Sequence, residues 1–420
     1  MLNKNGQREL AYVVKVNEVK PIAGKDRVEC AIVNGWTVMV RKDQFKAGSL
    51  GIYFEVDSKC PETEPFKFLE SKHYKIKIQK YKTDEGPFYS QGLLMGAEDF
   101  GWELTTTGQF AGDAPVIKTT DNKIYAEGDF LTEELGVTYA VEEDNQRKSD
   151  KPEDKYKKMA QWYPEAFKKP FIRWLYKRNW GKVILSLFFK PKKKSDTSFP
   201  NQFPFIKKTD QERVENMPFV LQDKTPFIVT QKCDGSSATY ILERKKKGKK
   251  ESFEFYVCSR NVRMLKPDQE CFHDKNYYWE CAEKYDIENK LRDFLNQHDD
   301  LDYVCWQGEI CAPSIQSNPH NLKETHLFCF HMIDSKQGKY DIRDAAKIWK
   351  EYDMEVVPIL GQLIMPDDLE DLKVMADGYY DDSVCEGQTN CKREGYVYYK
   401  TTDPNFSFKN VSREYLLKHS

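Results

Sequence analysis

The chain has 420 residues, of which 40% are hydrophobic and 14% aromatic, and its formal net charge is −2. This length predicts two domains, and the hydrophobic content is sufficient for packed cores. The near-neutral charge excludes a chain that is basic throughout, so any surface that binds a polyanion must be local.

Eleven cysteines are scattered without a CxxC pair or a Cys/His zinc spacing. The first residues, MLNKNGQREL, lack the apolar region of a signal peptide. Both observations predict reduced thiols in an intracellular compartment, the cytoplasm or the nucleus. The longest apolar stretch near the middle of the chain, residues 183–189, is too short to cross a bilayer, and we expect no membrane partner.

Residues 1–140 predict a small β-barrel. Apolar and polar residues alternate at short spacing, and Asn34-Gly35 marks a hairpin between two strands. An insertion around residues 97–125 interrupts the part that closes the barrel. The predicted strands are LAYVVKVNEV, VECAIVNG, WTVMVRK, GSLGIYFEVD and HYKIKIQKY.

Residues 141–205 predict a charged linker, at 141–155, followed by a basic helical connector. Residues 166–195 contain ten Lys or Arg and no acidic residue, and Trp, Tyr and Phe are interleaved with them. Three interpretations of this segment stay open: a solvated connector, a contact with nucleic-acid phosphates, and an interfacial membrane helix. Gly181 and the lack of a sustained apolar face place the membrane helix last.

Residues 206–420 predict a mixture of strands and helices, which together with the barrel gives an α+β chain. Ile287–Asn296 and Ile342–Glu351 have the pattern of helices. The predicted strands are FIVTQKCDG, FEFYVCSR, DYVCWQGEI, HLFCFHMID and EGYVYYKT.

Six short motifs follow one another at these strands or their edges. The first is Lys232-Cys233-Asp234-Gly235, and a KxDG tetrapeptide alone is weak evidence because most such tetrapeptides are surface turns. Each later motif also has a structural explanation, but six in order make coincidence improbable. The others are SRN (259–261), WQGE (306–309), FCFHMI (328–333), EGYV (394–397) and FSFK (406–409).

The order and types of these residues resemble the covalent nucleotidyltransferase superfamily, and within it the ATP-dependent RNA ligases with an N-terminal OB domain. The resemblance covers nearly the whole chain. RVECAIVNGWTVMVRKDQFKAGSLGIYFEVDS is similar to the OB domain, and FPFIKKTDQERVEN to the junction that follows. The resemblance implies an OB-like barrel over 1–140. Over 206–420 it implies an ATP-grasp-like adenylyltransferase domain, in which two antiparallel sheets flank the ATP cleft.

The resemblance also implies the roles of the motif residues. Lys232 is the nucleophile that takes AMP from ATP, and Lys409 is a second catalytic cation, which favours the neutral amine of Lys232. Asp234, Glu309 and Glu394 are expected to hold Mg²⁺, or Mn²⁺ in its place, mainly through water. The implied contacts with ATP or AMP are Gln231, Asp234, Gly235, Arg260, Glu309, Phe330, Glu394, Lys409 and, towards the γ-phosphate, Arg213.

The expected protein is a monomeric RNA ligase. It joins 3′-OH and 5′-phosphate ends, in nicked duplexes or broken RNA strands, through a lysine–AMP intermediate and an AMP-capped 5′-end. Two alternatives stay open: a DNA strand ligase of the same superfamily, and a catalytically silent nucleic-acid-binding module. Eleven residues follow Lys409, which disfavours the DNA ligases and capping enzymes that carry an OB domain after that motif. Ser407 and Gln231 depart from the family, which has a lysine and often a glutamate at these positions.

The histidines and the cysteine beside the nucleophile are expected to be structural. His273, His298 and His320 share no metal spacing and are predicted to lie on the surface, whereas His326 and His331 flank a predicted strand. Cys233 is predicted to pack rather than to act as a redox switch.

Overall fold

The computed structural model describes residues 1–3, 8–106, 114–140, 163–189, 197–200, 211–247, 250–260, 262–266, 276–380, 384–385 and 390–419. The predicted linker at 141–155, His273 and the lysines at 190 and 192–194 lie outside these residues. The domain boundaries predicted at 140 and 205 adjoin or fall within undescribed stretches, and they stay predictions.

The N-terminal part is an OB barrel built on a five-stranded sheet in the order β3-β2-β1-β4-β8. Its central strand β1 pairs with β4 through its first half and with β2 through its second half, with an irregularity between Val16 and Glu18. Such a change of register bends a strand and allows a sheet to coil into a barrel. The strands are β1 (Ala11–Ile22), β2 (Lys25–Val33), β3 (Trp36–Arg41), β4 (Leu50–Phe54), β5 (Ser58–Lys59), β6 (Gln79–Thr83), β7 (Gly86–Ser90) and β8 (Leu93–Met95).

The predicted hairpin at Asn34-Gly35 is confirmed, because Val33 pairs with Trp36 and Asn34 has a left-handed φ of 52°. The strand predicted to begin at His73 is wrong for its first six residues, since the paired strand begins at Gln79. Ile76 and Ile78 are buried and Lys77 is exposed, so the alternation in the sequence reflects burial without a continuous ladder. A pattern of period two predicts which side chains are buried, and it does not by itself provide a partner strand.

The insertion around 97–125 forms a small sheet of its own beside the barrel. A 3₁₀ turn at Ala97–Phe100 leads into a three-stranded antiparallel sheet in the order β11-β10-β9. Ile117 of this sheet is buried in the same core as Phe54 and Phe66 of the barrel. The strands are β9 (Glu103–Thr106), β10 (Pro115–Lys118) and β11 (Ile124–Tyr125), and β12 (Thr138–Tyr139) then pairs with β5.

The predicted basic connector contains helices, as expected. The first is a single turn, and the next two pack on each other around a small core of Phe167, Leu175 and Leu185. The helices are α1 (Pro164–Phe167), α2 (Pro170–Tyr176) and α3 (Asn179–Phe188). We call residues 163–189 the helix pair.

The C-terminal part is an α+β domain with two sheets, as predicted. The larger is antiparallel, in the order β13-β18-β17-β16-β19-β20-β21, and the smaller has the order β14-β24-β23-β15-β22. The expectation that both sheets are purely antiparallel needs one correction, because the short β14 runs parallel to β24. The strands are β13 (Thr197–Pro200), β14 (Glu212–Arg213), β15 (Phe227–Lys232), β16 (Ser236–Lys247), β17 (Lys250–Ser259), β18 (Val262–Met264), β19 (Tyr303–Cys311), β20 (His326–Asp334), β21 (Gly338–Lys339), β22 (Ile359–Leu363), β23 (Gly395–Lys400) and β24 (Asp403–Val411).

Helices pack against both sheets: those at residues 277–297 and 342–351 contact the larger one, and the helix at 369–376 contacts the smaller one. Both predicted helices are confirmed, and Leu291, Phe294 and Trp349 on their apolar faces pack against Trp306 of the sheet. The helices are α4 (Tyr277–Lys284), α5 (Ile287–Gln297), α6 (Ile342–Glu351), α7 (Leu369–Ala376) and α8 (Arg413–His419). Among the described helices, none has the length and apolar character required to cross a bilayer.

The barrel and the C-terminal domain share a buried polar interface. The Asn216 amide donates to Glu55 at 3.0 Å, and Arg213 pairs with Asp57 at 3.3 Å. The C-terminal helix α8 contributes a second contact, since Glu414 accepts from Lys80 at 2.6 Å. Apolar residues of both parts complete it, and they form one cluster: Val56, Ile78, Tyr89, Val411, Tyr415 and Leu416.

Candidate active site

A cavity of about 360 Å³ opens between the two sheets of the C-terminal domain. The two sheets meet here because β15, which carries Lys232 at its end, leads directly into β16 of the other sheet. Seven of the predicted residues line the cavity: Gln231, Lys232, Gly235, Arg260, Glu309, Phe330 and Lys409. They come from six of the chain's strands and loops, so the motifs that are distant in sequence converge as the family resemblance implies.

The Lys232 amine on the cavity lining forms an ion pair. Its Nζ lies 2.8 Å from Oε1 of Glu394. Burial lowers the pKa of the Lys232 amine, but the Glu394 and Glu309 carboxylates raise it by more, and the resulting pKa lies above the usual range of lysine. The site therefore holds Lys232 as an ammonium ion, ready to donate its proton to Glu394 but not yet nucleophilic.

Three carboxyl groups surround this single lysine: Asp234 is buried, and Glu309 and Glu394 are half-buried. Burial raises the pKa of Glu309 to about 8, against the opposing charge of Lys232. Burial and the nearby Glu394 also raise the pKa of Asp234, whose Oδ2 accepts a hydrogen bond from the Tyr415 hydroxyl at 2.6 Å. The like charges of these groups add to the effect of burial, so the pKa values of Glu309 and Asp234 both lie above the usual range of carboxyl groups.

Two glycines of the motifs are required by close backbone approaches. A Cβ on Gly235 would lie 2.3 Å from the Ile310 carbonyl oxygen, so a larger residue would push β16 away from β19. Gly395 has a φ of +142°, and its Cβ would lie 2.1 Å from the Asn410 carbonyl oxygen. The KxDG and EG motifs therefore place Lys232 and Glu394 within ion-pair distance partly because glycine follows each acidic residue.

The cavity also presents groups suited to a nucleobase. The Gln231 side chain is buried, and neither its amide nitrogen nor its oxygen has a hydrogen-bond partner within the described part of the chain. The Phe330 ring is half-buried on the lining, and Arg260 lies exposed at its edge. A buried amide without a partner is costly unless a ligand satisfies it.

The remaining predicted residues lie near the cavity but do not line it. Glu394 contacts Lys232 from behind, and Asp234 is turned towards Tyr415. Arg213 is buried in the interface with the barrel, where it pairs with Asp57 and stacks near Trp36. Its predicted contact with the γ-phosphate stays a prediction, as do the individual roles of the other residues.

The prediction that His320 lies on the surface is wrong. His320 is buried, and its Nε2 accepts a hydrogen bond from the backbone N–H of Asp234 at 3.1 Å. Burial lowers the pKa of His320 to about 4, which keeps the ring neutral and able to accept. Tyr415 was also missed. Both residues fix Asp234 from distant parts of the chain, and no local pattern reveals such contacts. The prediction for His331 and His326 is confirmed, because they bond to Gln307 and Glu355.

Cys233 packs as predicted, in an apolar cluster with Cys311 and Phe328. Burial raises the pKa of the Cys233 thiol well above its usual range, so the thiol is protonated and unreactive at neutral pH.

The carboxyl groups fit a divalent cation. Oε2 of Glu394 is buried and has no hydrogen-bond partner among the described residues, and the raised pKa of Glu309 shows that its ionised form lacks compensation. A hydrated divalent cation would supply a hydrogen-bond donor for Glu394 and positive charge beside Glu309. Within the described ranges, no group of three or more His, Cys, Asp or Glu is arranged to hold a metal ion directly. Binding of a cation by Asp234, Glu309 and Glu394 mainly through water stays a prediction.

Comparisons with known proteins agree with this geometry. A family model described as an OB-fold domain matches residues 10–94, and one described as RNA ligase matches residues 225–412. A search of curated proteins gave no match.

Solved structures of an RNA ligase from Naegleria gruberi resemble the whole chain. The form with pyrophosphate has 26% identity and a TM-score of 0.67, and the alignment covers 98% of this chain and 99% of that one. A mutant with ATP and Mn and another with AMP and Mn have the same identity, TM-score and coverage. Both domains are therefore matched, in the same order and over nearly their full length. The chain belongs to the RNA ligases that carry an N-terminal OB domain.

Proposed function

We propose that this RNA ligase is ATP-dependent and joins a 3′-OH end to a 5′-phosphate end through a covalent Lys232–AMP intermediate. The observation that carries the proposal is the Lys232 amine, 2.8 Å from the Glu394 carboxylate and on the lining of a cavity between two sheets. An amine nucleophile beside a proton acceptor is the arrangement that nucleophilic catalysis requires.

The lining supports a purine nucleotide as the substrate. The Gln231 amide presents a donor and an acceptor side by side, which matches the edge of an adenine. The Phe330 ring offers a face on which the base stacks, and Arg260 at the cavity edge suits the ribose or a phosphate. The Naegleria gruberi ligase has been solved with ATP and Mn and with AMP and Mn, which supports the same ligands here.

The reaction has three steps. Lys232 releases a proton towards Glu394 and attacks the α-phosphorus of ATP, so that a P–N bond forms, the α–β anhydride breaks and pyrophosphate leaves. AMP then passes to the 5′-phosphate of an RNA end, which restores the lysine and forms a new anhydride. The 3′-OH finally attacks this activated phosphate, which forms the phosphodiester and releases AMP.

Charge neutralisation decides when the first step occurs. Glu309, Glu394 and Asp234 would hold Mg²⁺ or Mn²⁺, which would offset their negative charge, lower the pKa of Lys232 and stabilise the phosphoryl oxygens. Lys409, which lines the same cavity and is buried, adds a second positive charge there. The surplus of carboxyl groups thus acts to hold the lysine protonated until the substrate complex forms.

The proposed substrate is RNA with nicked or broken ends, and the proposed acting species is a monomer. We place the enzyme in a reducing intracellular compartment, the cytoplasm or nucleus, where buried thiols such as Cys233 and Cys311 beside the nucleophile stay reduced. A DNA strand ligase and a silent nucleic-acid-binding module remain as outcomes of the experiment below.

The test is labelling of the protein with α-radiolabelled ATP. Lys232→Ala should abolish the covalent label yet still seal a strand that already carries AMP at its 5′-end, since that step does not need the nucleophile. Lys224→Ala, an exposed lysine paired with Asp367, is the matched control and should keep the label. A labelled Lys232→Ala protein, or full labelling in excess chelator, would contradict the proposal. Parallel sealing of nicked RNA, nicked DNA and single-stranded RNA distinguishes the substrates.

A further inference from the structure

The helix pair carries an apolar surface that its own core leaves uncovered. On α3 the side chains of Trp180, Val183, Ile184, Leu187 and Phe188 are between 39% and 77% exposed. Their spacing of three and four residues places them on one face of a helix. Soluble proteins scatter exposed apolar side chains singly, and a continuous stripe of this kind marks a binding surface.

This stripe differs from the face that packs inside the pair. Leu185 and Gly181 face α2, where Leu185 is buried with Leu175. A Cβ on Gly181 would lie 2.0 Å from the Leu175 carbonyl oxygen, so glycine permits the two helices to approach. From the sequence, Gly181 and the lack of a sustained apolar face placed the membrane helix last among three interpretations. The structure puts Gly181 on the inner face and five exposed apolar residues on the outer face, so neither feature argues against that interpretation here.

Aromatic rings of α2 extend the stripe. Trp174 meets Trp180 edge-on with ring centroids 6.1 Å apart, and Phe171 stacks on Trp174 at 6.1 Å. The Arg178 guanidinium lies 3.8 Å from the centre of the Trp174 ring and covers one of its faces. Seven large apolar side chains therefore form one patch, bordered by an arginine.

Exposed cations lie in and beside the same helices. Lys168, Lys169, Arg173, Lys177 and Arg178 are all exposed, and no Asp or Glu occurs from residue 166 to residue 195. An apolar face with Trp, Phe and Leu beside a face of Lys and Arg is the composition of helices that lie in the interface of an anionic bilayer.

We propose that the helix pair binds the surface of an anionic lipid membrane, with the α3 stripe among the acyl chains and the cations at the lipid phosphates. RNA is a poorer match, because Val183, Ile184 and Leu187 have no π-face for a base and one face of Trp174 is already covered. This binding lies along the surface and does not cross the bilayer. It replaces the sequence-based expectation of no membrane partner, and it does not depend on the proposed ATP chemistry.

The test is co-sedimentation of the full-length protein with lipid vesicles. Wild-type protein should bind vesicles of phosphatidylcholine mixed with phosphatidylserine, and should bind pure phosphatidylcholine less. The double variant Leu187→Glu, Phe188→Glu should lower binding roughly tenfold or more, because it places two charges on the inserted face. The matched control is Phe68→Glu, Phe219→Glu, which changes two phenylalanines elsewhere with exposures of 60% and 57%, and it should bind as wild type does.

A second pair of changes tests the electrostatic contribution. Lys169→Gln, Lys177→Gln should weaken binding to the anionic vesicles roughly tenfold and leave binding to pure phosphatidylcholine unchanged. Circular dichroism and covalent labelling with ATP check that every variant is folded.

Three results would overturn the proposal. The first is wild-type protein that does not sediment with anionic vesicles. The second is a Leu187→Glu, Phe188→Glu variant that loses affinity for single-stranded RNA but keeps vesicle binding, which would assign the patch to RNA. The third is a wild-type oligomer, seen by light scattering, that this variant converts to a monomer without any effect on vesicles, which would make the stripe a contact between copies of the chain.

Discussion

The cleft around Lys232 and the helix pair both contain cations with a proposed function, but they hold them in opposite surroundings. In the cleft, one lysine is enclosed by Glu394, Glu309 and Asp234, and its ion pair with Glu394 is only 14% to 23% exposed. On the helix pair, Lys169 and Lys177 lie exposed, and residues 166–195 around them contain no Asp or Glu. In the cleft, neighbouring charges and burial shift the pKa values of Lys232, Glu309 and Asp234. On the helix pair, the cations lie at the surface, where a polyanion can reach them.

The difference shows why the net charge of −2 reveals neither region. Burial strengthens interactions between charges, so that the state of each buried group depends on its neighbours and on what binds. Exposed charges separated by more than about 8–10 Å are screened by salt and act nearly independently. The cleft should therefore respond sharply to the loss of one charge, and the helix pair should respond gradually and without effect on the chemistry.

The largest expected effect comes from Glu394→Gln, which removes the partner of Lys232. Covalent labelling with ATP should fall about a hundredfold or more, since a preorganised charge at the reacting group is lost. The Glu394 carboxylate raises the pKa of Lys232, so in the variant this pKa falls and the rising limb of the residual pH–rate profile moves to lower pH. Glu324→Gln, an exposed glutamate paired with Lys284, is the control. Labelling by Glu394→Gln at the wild-type rate would show that the cleft does not depend on this pair.

A smaller effect is expected from His320→Asn, measured as the free energy of unfolding in urea. The folded pKa of His320 is about 4 against 6.5 for the free side chain. Because the folded pKa is lowered, this stability is present above pH 6.5 and is lost as the pH falls through 4, by about 3 kcal/mol in total. The variant should therefore lose about 3 kcal/mol less than wild type between pH 7 and pH 4. The control is His298→Asn, at an exposed histidine stacked on Phe294, which should show the wild-type loss of stability. An identical loss in both variants would show that His320 does not cause the pH dependence.

The smallest effect concerns the helix pair itself. Lys169→Gln, Lys177→Gln should change labelling of Lys232 by less than about twofold, because screened surface charges do not reach the cleft. Lys409→Gln, which removes a cation from the cavity lining, is the contrasting variant in the same assay and should lower labelling severely. A comparable loss of labelling in both variants would show that charges on the helix pair affect the chemistry of the cleft.

The sequence predicted the strands of the cleft well because their local patterns are strong. Phe227–Lys232 and Tyr303–Cys311 are apolar strands that end in polar motif residues, and both end in the cavity. Contacts between distant segments were missed. His320 reaches Asp234 across 86 positions and Tyr415 reaches it across 181, and neither residue has a local signature.

The helix pair illustrates a different limit of sequence reasoning. The positions 180, 183, 184, 187 and 188 are visible in the sequence as a helical stripe, but Leu185 is equally apolar. Which face turns inward is decided by the packing of Gly181 against α2, a tertiary contact. A tertiary contact also decides the outcome for the HYKIKIQKY segment. Burial alternates there as in a strand, but no continuous partner strand lies beside residues 73–78 in the described chain.

The C-terminal helix α8 has a consequence for how the protein melts. Its Tyr415 bonds to Asp234 in the cleft, while the neighbouring Glu414 accepts from Lys80 of the barrel, and Leu416 is buried between the two domains. Detaching the barrel would expose this apolar cluster and release the residue that orients Asp234. The two domains should therefore denature as one cooperative unit, with a single calorimetric transition, and partial unfolding that spares the active site is not available to this molecule.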